Sequence, residues 1–372
     1  MTRVMGVLAC LLIGAAAVHA ATLVVSNPLD SARPNAICIG PASLLGEGVA
    51  PGAYEAASRD GQRVPVQVDD LDGDGAADEL AMVLHLPAAG ETVVWVDTSL
   101  PWRGGDFAEA RTSWRYDNYA VLDTDRMGFG LYGTYAPLHF IGGLQWDIYA
   151  KRPQAWRLCL DALESIDYHN DNPVAVDILL VANSMALGGP IIGETRPIAG
   201  QNASHACREL CDGPVRAGLE VRATDWRTQE GESYDATIRY LVYAHHDFID
   251  ATFDVEPTPG AGEFGLGVRR LPHPTEFIGD AAAGILGSIG QQPGIIGRTG
   301  LGLVFDPACF SRWEVRPGED DAYVVRLSEP EGHYRAWLVG VWDQGGVAGR
   351  YTFISHMRCL AARFGAPPIV SG

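Results

Sequence analysis

Residues 146–205 gather the side chains most able to do chemistry. In Trp146-Asp147-Ile148-Tyr149-Ala150-Lys151, a strand would put Asp147, Tyr149 and Lys151 on one face, because alternate side chains of a strand point the same way. Tyr168-His169-Asn170-Asp171 follows, then Asp177, a Gly188-Gly189 turn, Arg196, Asn202 and His205. A phenol, an imidazole and a carboxylate within four residues can hold a base in one tautomer. That makes His169 the candidate base and Tyr168 the candidate acid. Asp147 with Asp171 or Asp177 offers a second chemistry, hydrolysis by paired carboxylates. Further candidates stand at His245-His246-Asp247, Arg269-Arg270 and His273.

Other chemistries lack their patterns. There is no G-x-S-x-G elbow, and neither Ser184 nor Ser204 lies in a nucleophile turn. His245-His246-Asp247 lacks the i, i+4 histidine pair of a zinc protease, and no glycine-rich phosphate loop follows a strand.

The sharpest local motif is Asp70-Leu71-Asp72-Gly73-Asp74-Gly75-Ala76-Ala77-Asp78-Glu79. It fits D-x-D-x-D-G-x-x-D, which sets carboxylates around a hard cation. Asp70, Asp72, Asp74 and Asp78 would supply side-chain oxygens, Ala76 its carbonyl, and Gly75 the tight turn. An EF-hand needs a glutamate at loop position twelve, which is Ala81 here, and helices on both sides. Strand-like sequence flanks this loop instead, so the expectation is a hairpin stapled by structural Ca2+.

The elements that must position these groups read as strands. Val215, Ala217, Leu219, Val221 and Ala223 alternate with polar residues, as do Ile249, Ala251, Phe253 and Val255, the period-two mark of a strand with one buried face. Further strands are expected at 63–69, 79–85, 92–97, 118–123, 127–132, 234–243, 264–269, 301–305, 322–327 and 333–341. Only 353–363 suits a helix. Many strands and few helices predict a mainly β protein. A small N-terminal β-barrel or sandwich over 22–100 would precede a large antiparallel β-sandwich over 105–372, with the interruption at Pro101-Trp102-Arg103-Gly104-Gly105.

The chain of 372 residues has a formal charge of −19, which argues against nucleic acid and anionic membranes as partners. Lys151 is the one lysine. Residues 1–20 read as a signal peptide, with Arg3, a short apolar run and Val18-His19-Ala20 as the cleavage site. The expected location is therefore secreted or periplasmic, and no later run is long enough to span a membrane. Of seven cysteines, all but Cys10 lie beyond the leader. Disulfides are permitted in that setting, and Cys207 with Cys211 offers a local bridge.

The chain resembles a bacterial family catalogued as domain-of-unknown-function family 4861. The stretches that carry the resemblance are Ser26-Asn27-Pro28-Leu29-Asp30 with Ala32-Arg33, and Val64-Pro65-Val66-Gln67 before the acidic loop. Asp125-Arg126-Met127-Gly128-Phe129 with Tyr132-Gly133, Trp146-Asp147 through Lys151-Arg152, and Tyr168-His169-Asn170-Asp171 follow in order. Asp212-Gly213-Pro214-Val215-Arg216 and Phe264-Gly265-Leu266-Gly267-Val268 complete the set. More distantly, the layout is similar to exo-acting rhamnogalacturonan lyases, with a small barrel before a sandwich of the galactose-mutarotase type.

The resemblance implies an exported, carbohydrate-active protein with a sugar cleft on the large sheet and uronate-containing oligosaccharides as ligands. On that footing the first expectation is β-elimination, by a lyase or dehydratase. Charge building on the uronate carboxylate would be neutralised by Lys151, Arg196 and Asn202. His169, Tyr168 and Asp171 would serve the proton transfers, and Trp146, Asp147, Tyr149 and His205 would hold the sugar. The alternatives are a glycoside hydrolase using paired carboxylates and a carbohydrate-binding accessory protein without turnover.

Overall fold

The computed structural model describes residues 20–114, 119–132, 142–155, 170, 173–272, 276–318, 320–347 and 349–372. Residues 1–19, His273 and most of the 156–172 segment lie outside them.

The first sheet is built from β1 (Ala20–Ser26), β2 (Arg33–Pro41), β3 (Gly52–Ser58), β4 (Arg63–Asp69), β5 (Glu79–Leu86) and β6 (Glu91–Pro101). Its order is β2-β5-β4-β3-β6-β1, and the last strand of the chain, β24 (Ile369–Ser371), pairs with β1. The sheet curls until β24 meets β2, where a Cβ at Gly40 would touch Val370 at 3.2 Å. Leu23, Val25, Val66, Leu80, Met82 and Val96 fill its interior. The chain therefore ends in the small sheet, although its C-terminal region reads as part of the large unit in sequence.

Two further sheets face each other. One holds β7 (Ala108–Trp114), β8 (Tyr119–Thr124), β9 (Met127–Tyr132), β10 (Gln145–Lys151), β11 (Ala175–Asp177), β12 (Leu187–Ile192), β17 (Phe264–Arg269), β21 (Phe310–Arg316) and β22 (Ala322–Leu327). Its order is β21-β22-β17-β12-β10-β9-β8-β7, with β11 also on β10. The other holds β13 (Ser204–Cys211), β14 (Arg216–Arg227), β15 (Ser233–Tyr243), β16 (Phe248–Glu256), β18 (Glu276–Asp280), β19 (Ile285–Gly290), β20 (Thr299–Phe305) and β23 (His333–Trp342). Its order is β13-β14-β15-β16-β23-β20-β19-β18.

Ala217, Leu219, Val221 and Ala223 of β14 meet Trp146, Ile148, Phe129 and Leu266 in one continuous core. The protein is thus mainly β, with a large antiparallel sandwich as its body.

The helix α1 (Arg350–Phe364) lies on the outer face of the second sheet through Phe353, Met357 and Leu360. Glycines make that approach close: a Cβ at Gly287 or Gly300 would come within 3.0 Å of the Phe353 ring. Among the described residues no helix is long and apolar enough to cross a membrane.

Arg216 ties the small sheet to the sandwich. It is fully buried, and its guanidinium reaches Asp69 at 2.7 Å and Glu79 at 2.8 Å. Gln67 accepts from the Val215 and Arg216 amides and donates to the Arg216 carbonyl. A side chain at Gly213 would collide with Gln67. Two stretches distant in sequence, 64–67 and 212–216, are therefore one junction.

The local Cys207–Cys211 bridge does not form. Both are free thiols on β13, where four residues of strand span ~13 Å, well beyond disulfide reach.

Candidate functional site

All seven residues of β10 are buried, so both faces of the strand are covered. Trp146, Ile148 and Ala150 belong to the core between the sheets. Gln145, Asp147, Tyr149 and Lys151 lie on the opposite face by alternation. Across the ladder, Asp147 pairs with Gly130 and Tyr149 with Gly128, and these glycines leave room beside the polar groups. On the other side Tyr149 pairs with Asp177 of β11. Asp147 and Asp177 are consequently diagonal neighbours on one face, a relation of about 7–8 Å between backbones.

The carboxylates are held by local bonds. Asp147 accepts from the Ile148 amide at 2.8 Å and from the Tyr149 hydroxyl at 3.3 Å. Asp177 accepts from the Leu179 amide at 2.9 Å. Burial, reinforced by the charge of Asp177, drives the Asp147 carboxyl well above the usual carboxylate range, because the ionised form loses water and meets a like charge. A carboxyl that keeps its proton beside a second carboxylate is the division of labour that acid–base cleavage needs.

The remaining expected residues fall in different places. Arg196 joins the β10 face: it donates to Gln145 Oε1 at 2.8 Å and the Asn183 carbonyl at 2.9 Å, and pairs with Asp320 at 3.4 Å. Asn202 is a positioning residue for the loop that carries Arg196, donating to the Arg196 and Arg227 carbonyls and accepting from the Ile198 amide. Trp146 is fully buried and edge-on to Tyr240 at 4.9 Å. The sugar platform expected of it gives way to packing, since no ring face is open. His205 sits on β13 of the other sheet, apart from this cluster. Tyr168, His169 and Asp171 lie outside the described residues. Lys151 has no exposed side-chain surface and is engaged by Asp123 and the Thr124 carbonyl.

The acidic turn joins β4 to β5 as a hairpin. Carboxylate oxygens of Asp70, Asp72 and Asp78 come within 4.8 Å of one another, a span that fits one cation with oxygens at about 2.3–2.6 Å. Asp70 also accepts from the Gly73 and Gly75 amides at 2.7 Å. Asp74 turns to the Ala76 amide instead. Arg208 of β13 donates to the Leu71 carbonyl at 3.1 Å, fixing the loop against the sandwich.

A second constellation joins His245 and Asp247, candidates in the sequence, to Asp125 and to His356, which the sequence reading did not single out. His245 Nδ1 lies 2.8 Å from Asp125, whose other oxygen accepts the His245 amide at 2.6 Å. His356 Nε2 of α1 lies 3.3 Å from Asp247. These groups meet across more than a hundred residues, and no local spacing announces such pairs.

These sheets and sites define a two-part β protein: a small curled sheet docked on a large antiparallel sandwich. The chain belongs to the family described as Domain of unknown function (DUF4861), which matches residues 25–370. No curated protein matches it. Among solved structures it is similar to a protein in the Glycosyl Hydrolase Family 38 from Enterococcus faecalis, with a TM-score of 0.54 at 9% identity. That likeness covers 95% of this chain and 47% of the other. It is also similar to an alpha-mannosidase from Enterococcus faecalis V583, with a TM-score of 0.51 at 9% identity, over 95% and 46% of the two chains. The chain thus spans about half the length of the structures it matches. At such identity the likeness establishes the fold.

Proposed function

We propose that this protein acts on carbohydrate and cleaves a glycosidic bond by hydrolysis, with Asp147 and Asp177 as its carboxylate pair. The observation that carries this reading is the raised Asp147 carboxyl beside Asp177 on one strand-ladder face. Asp147 is buried with the rest of β10, so the reading requires the covering chain to part before Asp147 protonates the leaving oxygen and Asp177 supplies the carboxylate that activates water or attacks the sugar. Tyr149 positions Asp147 through its hydroxyl. Similarity to a family 38 glycosyl hydrolase and to an alpha-mannosidase supports carbohydrate as the substrate class.

At the β10 face, elimination is the weaker reading on physical grounds. It needs cations left over to neutralise a developing carboxylate charge. Lys151 is already neutralised by Asp123, and Arg196 is shared between Asp320, Gln145 and the Asn183 carbonyl.

The deciding experiment incubates the full chain with neutral and uronate-containing oligosaccharides, following reducing ends and ultraviolet absorbance together. Hydrolysis releases reducing ends without an unsaturated product, and Asp147→Asn and Asp177→Asn abolish it. An absorbing unsaturated product would replace this reading with elimination, and binding without turnover would replace it with an accessory role.

The reading includes an exported protein, on the strength of the leader-like residues 1–20, and Ca2+ as a structural ion held by Asp70, Asp72 and Asp78. So many carboxylates in one turn repel each other unless a cation lies between them.

A further inference from the structure

A cleft of about 280 Å3 opens where the small sheet, the end of the sandwich and α1 converge. Asn35 enters it from the small sheet, Arg126, Lys151 and His245 from the sandwich, and His356 and Arg363 from α1. Its walls come from six separate stretches of the chain, so tertiary packing alone creates it. Junctions of this kind are where ligand pockets concentrate.

We infer that this cleft binds the oxyanion of a small ligand, a carboxylate in the first instance, between Arg126 and Arg363, with His245 Nε2 accepting from a hydroxyl of the same ligand.

Charge is the first reason. The chain carries −19 overall, so its general field repels anions, yet Arg126, Arg363, His245 and His356 line this cleft against one lining carboxylate, Asp247. Lys151 on the same wall is spent on Asp123. The acids near it are already engaged. Asp125 is held by both the backbone and the ring of His245, and Asp247 faces His356 at 3.3 Å. Arg126 keeps about a quarter of its side chain exposed and stands 3.4 Å from Asp125. A planar guanidinium in that setting suits a second, incoming oxyanion.

Positioning is the second. His245 has φ 66° and Asn35 φ 55°, the left-handed region where Asn and His are among the few non-glycine residues found. Two such residues line one cleft. The Asp125 contacts fix the His245 backbone and its Nδ1, and Phe107 packs on the ring at 5.0 Å. Nε2 is thereby the ring atom left to meet a ligand. The inference is independent of the Asp147–Asp177 reading, since neither carboxylate lines the cleft.

Calorimetric titration of the full chain with glucuronate, glucose, inorganic sulfate and inorganic phosphate tests it. Glucuronate should bind saturably and at least tenfold more tightly than glucose. Arg126→Gln with Arg363→Gln should weaken it at least tenfold, while Arg222→Gln on the distant β14 surface leaves it unchanged. Arg363→Gln alone, on the helix surface, should give a several-fold loss and serves if the double variant does not fold. Sulfate or phosphate matching glucuronate would uphold the site with a free oxyanion as occupant, and glucuronate alone would assign a sugar acid. Equal binding of glucose, equal loss in Arg222→Gln, or no binding by any probe would overturn it.

Discussion

The ammonium of Lys151 and the carboxylate of Asp123 form an ion pair in which neither side chain has any exposed surface. The single lysine of the chain is therefore spent on a buried partner on the outer face of β10, with the Thr124 carbonyl as a further acceptor. A buried pair contributes little net stability, but breaking it strands a charge without water. Asp123→Leu or Lys151→Met alone should each cost about 3–5 kcal/mol. The double variant should recover most of that loss. Denaturant unfolding of the four proteins checks this, and simple additivity of the two losses would contradict it.

Asp147 makes the opposite kind of demand on stability. Its folded carboxyl keeps a proton that the unfolded chain releases. The folded state is therefore favoured at low pH and loses ground as pH rises above the free aspartate value of about 3.9. Each pH unit in that window costs about 1.4 kcal/mol until the folded group also ionises. Asp147→Asn should unfold at higher temperature than the parent near pH 7 and show a flatter pH profile. The same variant should lose hydrolysis by at least a hundredfold. Thermal scans from pH 4 to 8 beside reducing-end assays test both halves.

His246 shapes the acid limb. Burial lowers its imidazole to about 4, against a bond from Nδ1 to the Ala244 carbonyl at 2.7 Å. Between about 6.5 and 4 the unfolded chain takes up a proton that the folded chain refuses, so stability falls as pH drops through that range. The loss approaches about 3 kcal/mol. His356 acts in the other direction: burial lowers it, but the Asp247 carboxylate outweighs burial and raises it. Its contribution is present at mildly acid pH and disappears as pH rises through the raised value. His246→Phe should remove the acid slope, and His356→Gln should remove stability near pH 6 more than near pH 8. Unfolding midpoints across pH 4–8 distinguish the two.

Ca2+ at the hairpin should show itself in stability. At a hundredfold excess over its dissociation constant, a bound ion adds about 2.7 kcal/mol, or about 5 °C for a chain of this size. Chelation should lower the midpoint by that amount, and Asp72→Asn should abolish the response. A midpoint indifferent to chelator and to added calcium would remove the ion from the hairpin.

Sequence alone fixed the secondary structure wherever one face of a strand is wet. The alternating runs at 215–223 and 249–255 are β14 and β16, and 353–363 is the core of α1, because burial on one side writes its period into the residue types. It also marked the 70–78 hairpin, whose donors are neighbours in the chain. Strands buried on both faces carry no such period: β17, β20 and β22 were marked by their apolar runs alone, whereas β19 was not marked and β12 holds the Gly188-Gly189 pair that read as a turn. Whether Lys151 meets solvent or Asp123, whether Trp146 offers a face or fills a core, and where the chain's last strand goes were all decided by packing. So was the convergence of Asp125 with His245 and of Asp247 with His356. The reason is one of range: hydrophobic periodicity is a local signal, whereas desolvation and charge pairing depend on segments more than a hundred residues apart arriving at the same place.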